Sequence, residues 1–291
     1  MALKETPLDQ LVEQFHRQGR LRVWSLVITI FGDAVQPRGG RISSARLQAI
    51  LARLGIESGA LRTAMSRLVK DGWIERDRQG RNSYYRLSTK GNREFGPATQ
   101  RIYAAPLGNS PEEWVLAVSL DRSADNRVAL EKKVLDMRGL VLGAGAYLWP
   151  WLEAPASQWM VENGLLSVAG DLDNVPAEIR ESLAPKGQRG DFESLIKDFS
   201  PLRSTAATLP PLDAMAARTL LIHRWRRIVL RGPDVPGELL PHDWPERRCR
   251  SLVAGLYHHL MQPSEHWLAA EDKALGNRLP EPESAFYTRF G

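Results

Sequence analysis

The sequence has little sulfur chemistry and no long hydrophobic run. A single cysteine, Cys249, stands among 291 residues, which excludes an internal disulfide and any multi-cysteine metal site. No stretch approaches the roughly 20 apolar residues of a membrane-spanning helix. The first residues, MALKE, include an acid and lead into no apolar segment of the secretory type. Internal repeats and low-complexity tracts are absent too. These absences predict a cytoplasmic globular protein without membrane contact.

The charge is distributed unevenly along the chain. The length exceeds what one compact core usually organises, so two or three domains are expected. Residues 1–103 hold 18 Lys or Arg against 9 Asp or Glu, a net of +9. The rest hold 21 against 25, a net of −4. Such a polarised chain indicates that its N-terminal third meets a polyanion.

Two helices joined by a short glycine-containing turn are predicted within residues 44–72. Ser44 can cap the first helix, whose apolar residues recur at 3.6-residue spacing until Gly55 ends it. Ser58 can cap the second helix, which Gly72 closes. Shorter leading helices are predicted over 8–18 and 21–31.

A hairpin and a further helix are predicted next. Strand-like runs cover 73–76 and 83–87, and the polar segment between them contains Gly80, as hairpin tips often do. Ser88 can then cap a helix that runs to about residue 104. Helix, turn, helix and hairpin is the order of a winged helix-turn-helix, so residues 20–104 are predicted to form one.

The second helix of this motif offers a cationic outer face. Its predicted inner face is formed by Leu61, Met65, Leu68 and Val69, and no acid lies between Ser58 and Lys70. Such a helix can enter a major groove about 12 Å wide, where Arg forks onto guanine and Thr meets a thymine methyl. Its N-terminal end presents N–H groups to a phosphate.

The hairpin adds a second cationic surface. Its guanidinium groups, Arg86 included, can follow the phosphates or enter an A·T-rich minor groove. Tyr84 and Tyr85 alternate sides, so one is expected on the recognition helix and the other near a phosphate. The residues predicted to bind DNA are Arg41, Ser58, Arg62, Thr63, Ser66, Arg67, Lys70, Arg76, Arg78, Arg81, Asn82 and Tyr84.

Double-stranded operator DNA and a second copy of the chain are the partners that follow. One winged helix reads a short half-site, and specific operators usually pair two half-sites through the symmetry of a dimer. A homodimer is therefore expected. The alternative for this motif is a winged helix used for protein contacts.

The rest of the sequence predicts a middle region of both strands and helices and a helical C-terminal region. After a Pro/Gly-rich boundary at 105–111, strands are expected at 113–120, 139–148 and 165–168, with helices at 126–137 and 155–163. Later helices are expected at 176–183, 191–199, 205–230 and 247–261. The fold class is thus α+β: the winged helix at 20–104, a ferredoxin-like dimerisation domain at 111–175, and a mostly helical effector or dimerisation domain at 176–291.

Two long segments bear a family resemblance. The first comprises FGDAVQPRGGRI and LGIESGALRTAMSRLVKDGWIERDRQGRNSYYRLSTKG, and the second is RGPDVPGELLPHDWPERRCRSLVAGLYHHL at 231–260. Both resemble the PaaX-type repressors of phenylacetic acid degradation. The resemblance implies a dimeric repressor of an aromatic catabolic pathway that leaves its operator when an aryl-CoA thioester binds, phenylacetyl-CoA in the best-known members. Gly232 and Asn82 depart from the family pattern, which leaves open a subgroup with a different effector.

An aryl-CoA effector needs cations for its phosphates and an apolar slot for its acyl group. Basic and aromatic side chains downstream of residue 104 supply both, although each also suits an ordinary core or surface role. No cofactor is predicted besides this ligand. The candidate effector residues are Arg122, Arg138, Trp149, His223, Arg224 and Arg227.

Enzymatic alternatives are weaker in this sequence. Val115 to Pro150 resembles the small ferredoxin-like CRISPR-associated nuclease domain, in which an Asp at the place of Asp121 holds a catalytic metal. Here Asp121 has no accompanying carboxylate cluster and suits the cap of a turn. The adjacent His258 and His259 would point about 100° apart on a helix and cannot easily share a metal. Neither a catalytic residue nor a metal site is predicted, and the protein is expected not to be an enzyme.

Overall fold

The structure is a computed structural model that describes residues 6–17, 22–80, 82–104, 113–121, 123–143, 145–231 and 235–291, without the side chains of 94–97 and 152. Two compact units share these residues. The first unit lies within 1–106, 191–230 and 248–291, and the second within 107–190 and 231–247. This division differs from the three consecutive domains predicted, because the C-terminal helices pack with the N-terminal residues.

The first stretch of chain is mainly helical. It contains α1 (Pro7–Arg17), α2 (Val23–Ile30), β1 (Arg41–Ser43), α3 (Ser44–Arg53), α4 (Ser58–Lys70), β2 (Ile74–Gln79), β3 (Asn82–Leu87) and α5 (Thr89–Ile102). A π-helical turn, Phe31–Val35, continues α2. The three strands form an antiparallel sheet in the order β1-β3-β2, and β1 was not predicted.

Helix caps in this stretch agree with the prediction at one site and differ at two. Ser88 caps α5 by accepting a hydrogen bond from the Gly91 amide at 3.0 Å, as expected. Ser43, rather than Ser44, caps α3 by accepting from the Arg46 amide at 3.1 Å. Glu57, rather than Ser58, occupies the N-cap of α4 and makes no side-chain capping bond.

The second unit contains a four-stranded sheet. Its elements are β4 (Trp114–Ser119), α6 (Ala124–Asp136), β5 (Leu140–Gly143), β6 (Ala146–Pro150), α7 (Ser157–Glu162), β7 (Leu165–Gly170) and α8 (Ala177–Leu183). The strand order is β5-β6-β4-β7, and every neighbouring pair is antiparallel. The single strand predicted at 139–148 is in fact a hairpin, since Gly143 and Gly145 have positive φ angles that turn the chain.

Both faces of this sheet are covered over part of their width. Side chains of α6 and α7 pack on one face against a core that includes Tyr147 and Trp149. On the other face, Leu183 of α8 and the segment 235–240 pack against Leu140 and Leu148. Two antiparallel sheets with surrounding helices confirm the α+β class.

Three longer helices follow among the described residues: α9 (Gln188–Phe199), α10 (Pro211–Val229) and α11 (Glu246–Ala269). Helix α10 contacts α2, α3 and α5, and its buried residues occur on all sides. A helix that is buried on all sides lies in the middle of a core. Nearer its C-terminal end, the half-buried Arg226 guanidinium donates to the Thr29 and Ser25 hydroxyls at 2.7 and 2.6 Å.

A buried ionic cluster joins the π-helical turn to the C-terminal segments of the first unit. The Asp33 carboxylate lies 2.7 Å from Arg218 Nε and 3.2 Å from Arg289 Nη1. It also accepts hydrogen bonds from the Tyr103 and Tyr257 hydroxyls at 2.7 and 2.9 Å. Buried charges persist only when they are paired and hydrogen-bonded. Parts of the chain more than 250 residues apart are thus held by one carboxylate.

Arg46 makes a second link between α3 and the C-terminal region. Its fully buried guanidinium donates to the carbonyl oxygens of Trp267 at 2.9 Å and Asn277 at 3.2 Å, and also to that of Ala270. The Trp267 and Ala270 carbonyls lie at the C-terminal end of α11, where four carbonyls lack helical partners. A cation there also opposes the negative end of the helix dipole.

Candidate nucleic-acid interface

Helix α4 lies with one face on the core and the other in solvent. Leu61, Ala64, Met65 and Leu68 are buried, and the helix contacts α2, α3 and β2. Val69, which was predicted to face inward, is 40% exposed, and Ala64 takes the inner position instead. The outward residues are all exposed, as the helical period requires: Ser58, Arg62, Thr63, Ser66, Arg67 and Lys70.

The exposed side chains of α4 differ in how they are engaged. Arg62 and Lys70 make no hydrogen bond or ion pair with any residue that the structure describes. Arg67 Nε lies 3.5 Å from a carboxylate oxygen of Asp71, in a solvent-exposed pair. The Thr63 hydroxyl donates to the Gly59 carbonyl at 3.0 Å, which leaves its methyl group as the outward contact. Exposed ion pairs are weak, so a phosphate or guanine can displace Asp71 from Arg67.

The N-terminal end of α4 is less favourable to phosphate than the sequence indicated. The first-turn N–H groups have no side-chain cap, which suits an anion. However, the exposed N-cap residue is Glu57, whose negative charge opposes a phosphate beside Ser58.

The paired strands β2 and β3 sort their charges onto two faces. Arg76 and Arg78 stand opposite Tyr85 and Ser83, so they share the face on which Ile74 is buried. Both are exposed, and neither has a carboxylate partner among the described residues; Arg76 donates to the Ser83 hydroxyl at 2.6 Å.

The charges on the opposite face of this strand pair are neutralised by ion pairs. The Arg86 guanidinium lies 2.9 Å from the Glu75 carboxylate. Arg41 of β1 lies 2.7 Å from Asp77, on the same face. Arg41 therefore joins an ion pair rather than standing free as a predicted DNA contact. The sequence alone could not show which of these arginines have carboxylate partners, because that depends on which residues lie opposite them on the neighbouring strand.

Tyr84 does not stand where a phosphate contact would need it. Its side chain is 3% exposed, its hydroxyl accepts a hydrogen bond from the Asn277 amide at 3.3 Å, and Arg41 stacks on its ring. It packs against the C-terminal segment, and Tyr85, half-buried and opposite Arg76, is the tyrosine on the Ile74 face. The prediction for Tyr84 is wrong because residues 276–277 fill the space beside it. Strand parity is the signal that distinguishes Tyr85.

Asn82 is exposed at the start of β3, beside the turn at Gly80. Three residues singled out in the sequence, Arg81, Arg122 and Gly232, lie outside the described residues.

The candidate effector residues are divided between the two units. Trp149 is fully buried in the sheet core, where its indole N–H donates to the Met137 carbonyl at 3.2 Å and its ring meets Trp159 edge to face. It fills the core rather than lining an acyl slot. Arg138 of the same unit has an exposed guanidinium 3.9 Å from Glu153.

In the first unit, His223 is enclosed between α1 and α2. It is 3% exposed, its Nδ1 lies 3.1 Å from the Thr29 hydroxyl, and its ring meets Phe15 edge to face. Burial and the neighbouring arginines, Arg226 first, lower the pKa of His223 to about 3. A neutral, enclosed imidazole is not a phosphate ligand, so that prediction is wrong. Arg224 is paired with Asp198 at 3.3 Å, and Arg227 is exposed.

Asp121 follows β4 and is fully engaged in the next turn. It accepts hydrogen bonds from the Ser123 amide and the Asn126 side-chain amide, both at 2.8 Å. The Ser123 bond is the main cause that lowers the pKa of this exposed carboxyl. Within the described part of the chain, no group of three His, Cys, Asp or Glu side chains is placed to hold a metal ion.

Comparison with known proteins identifies the family of this chain. A family described as PaaX-like protein matches residues 22–91, which include α2 to β3, and its C-terminal domain matches residues 186–270. The transcriptional repressor PaaX of Escherichia coli K12 is 34% identical over 290 residues, which cover 92% of this chain and 89% of that protein. This chain belongs to the PaaX-like family.

A solved structure shares its fold. The uncharacterized protein Rv0674 of Mycobacterium tuberculosis aligns with a TM-score of 0.52 over 82% of this chain and 95% of its own, at 20% identity. Identity at that level speaks for the fold alone. Among the helices of the described residues, none combines the length and the hydropathy needed to cross a membrane.

Proposed function

We propose that this PaaX-like chain is a transcriptional repressor that binds operator DNA through a winged helix-turn-helix, with α3 and α4 as the helix pair and β2 and β3 as the wing. The exposed, acid-free face of α4 carries the proposal. The Escherichia coli relative, a transcriptional repressor by name, supports the same role. A regulator of this kind needs no catalytic centre.

The division of charge on the wing refines which residues contact DNA. Arg62, Arg67 and Lys70 enter the major groove, and Arg76 with Arg78 reach the flanking phosphates. Arg41 and Arg86 stay with their carboxylates. Each lysine or arginine that neutralises a phosphate contributes about 0.9 to the slope of log affinity against log salt concentration.

The matched pair Arg78→Ala and Arg86→Ala tests this assignment. Both arginines are exposed on neighbouring wing strands, but among the described residues only Arg86 has a carboxylate partner. Measured by fluorescence anisotropy on the DNA upstream of its own gene, Arg78→Ala should flatten the salt dependence by about one unit, and Arg86→Ala should change it little. Arg67→Ala should weaken specific binding more than nonspecific binding. If all three variants bind as the wild type does, the DNA face is wrongly assigned.

The repressor acts as a homodimer, and the second unit of each chain is ferredoxin-like. The connectivity β-α-β-β-α-β of β4 to β7, with the strand order second-third-first-fourth, supports that architecture. Two recognition helices then lie about 34 Å apart in successive major grooves.

We further propose that the family's effector chemistry applies here: an aryl-CoA thioester such as phenylacetyl-CoA releases the repressor from operators of a phenylacetate-type catabolic pathway. A hundredfold release requires the thioester to prefer the non-binding arrangement by about 2.7 kcal/mol. Among the candidates described in the second unit, Arg138 presents an exposed guanidinium group for a phosphate.

An electrophoretic shift on the upstream DNA, with and without phenylacetyl-CoA, tests the effector. Release by the thioester but not by free phenylacetate or free CoA is expected. Binding that ignores the thioester would refute this effector and leave the DNA-binding proposal standing.

A further inference from the structure

Strand β7 is an unprotected sheet edge in the second unit. It pairs with β4 on one side only, and none of the described residues pairs with its other side. Its sequence, LLSVAG, contains no charge and no proline, and its pairing with β4 has no register shift. Natural proteins usually protect such edges with lysine, proline or a bulge, because an open apolar edge pairs with other chains.

The apolar side chains of this edge are also exposed. Leu166 and Val168 are 74% and 63% exposed, and they stand opposite Val118 and Leu116 on β4. They belong to the sheet face that α8 and the segment 235–240 cover farther along, over β5, β6 and part of β4. The cover stops before β7, so an apolar strip and an open backbone edge coincide.

We propose that β7 is the surface through which two copies of this chain pair, joining their sheets into one continuous sheet. This inference rests on the proposed dimer and supplies its interface. A second copy is the favoured occupant because identical strands paired antiparallel are related by a two-fold axis, the symmetry that a palindromic half-site pair also requires. The strip carries no charge that would repel its own copy.

Strand geometry fixes the register. Residues directly opposite each other on antiparallel strands project to the same face, and successive residues alternate. Leu166 must therefore face an even-numbered residue of the second copy. Centring the two-fold axis on Ser167 places each Leu166 opposite the other copy's Val168. All four apolar side chains are then covered, in two symmetry-related pairs. Centring it on Val168 would leave Leu166 opposite Gly170.

A charge-insertion pair tests the surface. In the double variant Leu166→Lys/Val168→Lys, four ammonium groups would meet across the axis. By sedimentation equilibrium at micromolar concentration, the wild type should be a dimer and the double variant a monomer. The control is Val161→Lys, a 75% exposed position on α7 of the same unit, which should remain a dimer.

Cysteine crosslinking gives a readout that does not depend on disruption. Ser167→Cys should join two chains with a short bismaleimide, since opposite Cβ atoms lie about 5 Å apart in such pairs. Ser157→Cys, an exposed serine of the same unit, should not. The native Cys249 is buried and gives little background.

The outcomes separate the two proposals. If the wild type is a dimer, but the lysine variant stays dimeric and Ser167→Cys does not crosslink, then the β7 surface is overturned and the dimer remains. A wild type that is monomeric both alone and on its operator would overturn both.

Discussion

Replacing Asp33 by Asn should destabilise the first unit far more than its single-atom change suggests. The carboxylate is 1% exposed and lies within 3.2 Å of guanidinium nitrogens of both Arg218 and Arg289. An amide keeps the shape and can still accept from the tyrosine hydroxyls, but it leaves two buried cations without this counter-charge. Removing one partner of a buried ion pair costs roughly 3–5 kcal/mol. A loss of that size is a large part of a typical stability of about 5–15 kcal/mol.

Urea unfolding followed by tryptophan fluorescence measures this loss, at constant slope with denaturant. The control is Asp77→Asn, the same chemical change in the exposed pair with Arg41, where the Asp side chain is 59% exposed. Exposed pairs contribute about 0–1 kcal/mol, so the control should lose less than about 1 kcal/mol. If Asp33→Asn loses no more than Asp77→Asn, the cluster is not what joins the C-terminal segments to the π-helical turn.

Three further predictions concern other contacts of the first unit. Burial lowers the pKa of His223 from its ordinary 6.5 to about 3, so only the unfolded state gains a proton between those values. The free energy of unfolding should therefore fall by up to about 1.4 kcal/mol per pH unit below pH 6.5. In urea titrations at pH 7 and 5, His223→Asn should flatten that slope. Arg46→Met should cost about 2–4 kcal/mol in thermal unfolding, because it leaves carbonyls at the end of α11 unpaired; no loss would mean that water replaces the guanidinium. Gly276→Ala should destabilise by about 1–3 kcal/mol, since φ is +79° and a Cβ would lie 3.1 Å from the Tyr84 hydroxyl; hydrogen exchange at the base of the wing should rise, and unchanged exchange would contradict the contact.

The sequence by itself determined the local elements of the part proposed to bind DNA. Helical spacing separated Leu61 and Leu68 from Arg62 and Lys70 on α4, and turn residues marked the wing, because these signals act between residues a few positions apart. Val69 was misplaced since it lies at the border of the apolar stripe, where one neighbour decides exposure. The two family segments were recognisable in the same way, as contiguous runs.

Tertiary structure alone decided which charged and aromatic side chains remain available. Arg41 and Arg86 look like Arg76 and Arg78 in sequence, and only the strand pairing assigns carboxylates to the first two. Tyr84 is enclosed by residues almost 200 positions away, and His223 and Trp149 are enclosed by cores that no local pattern describes. The discontinuous first unit has the same cause: α10 and α11 return to pack on the N-terminal helices through long-range contacts. Periodicity reports which face of an element is apolar, whereas the partner that covers it is chosen by the whole fold.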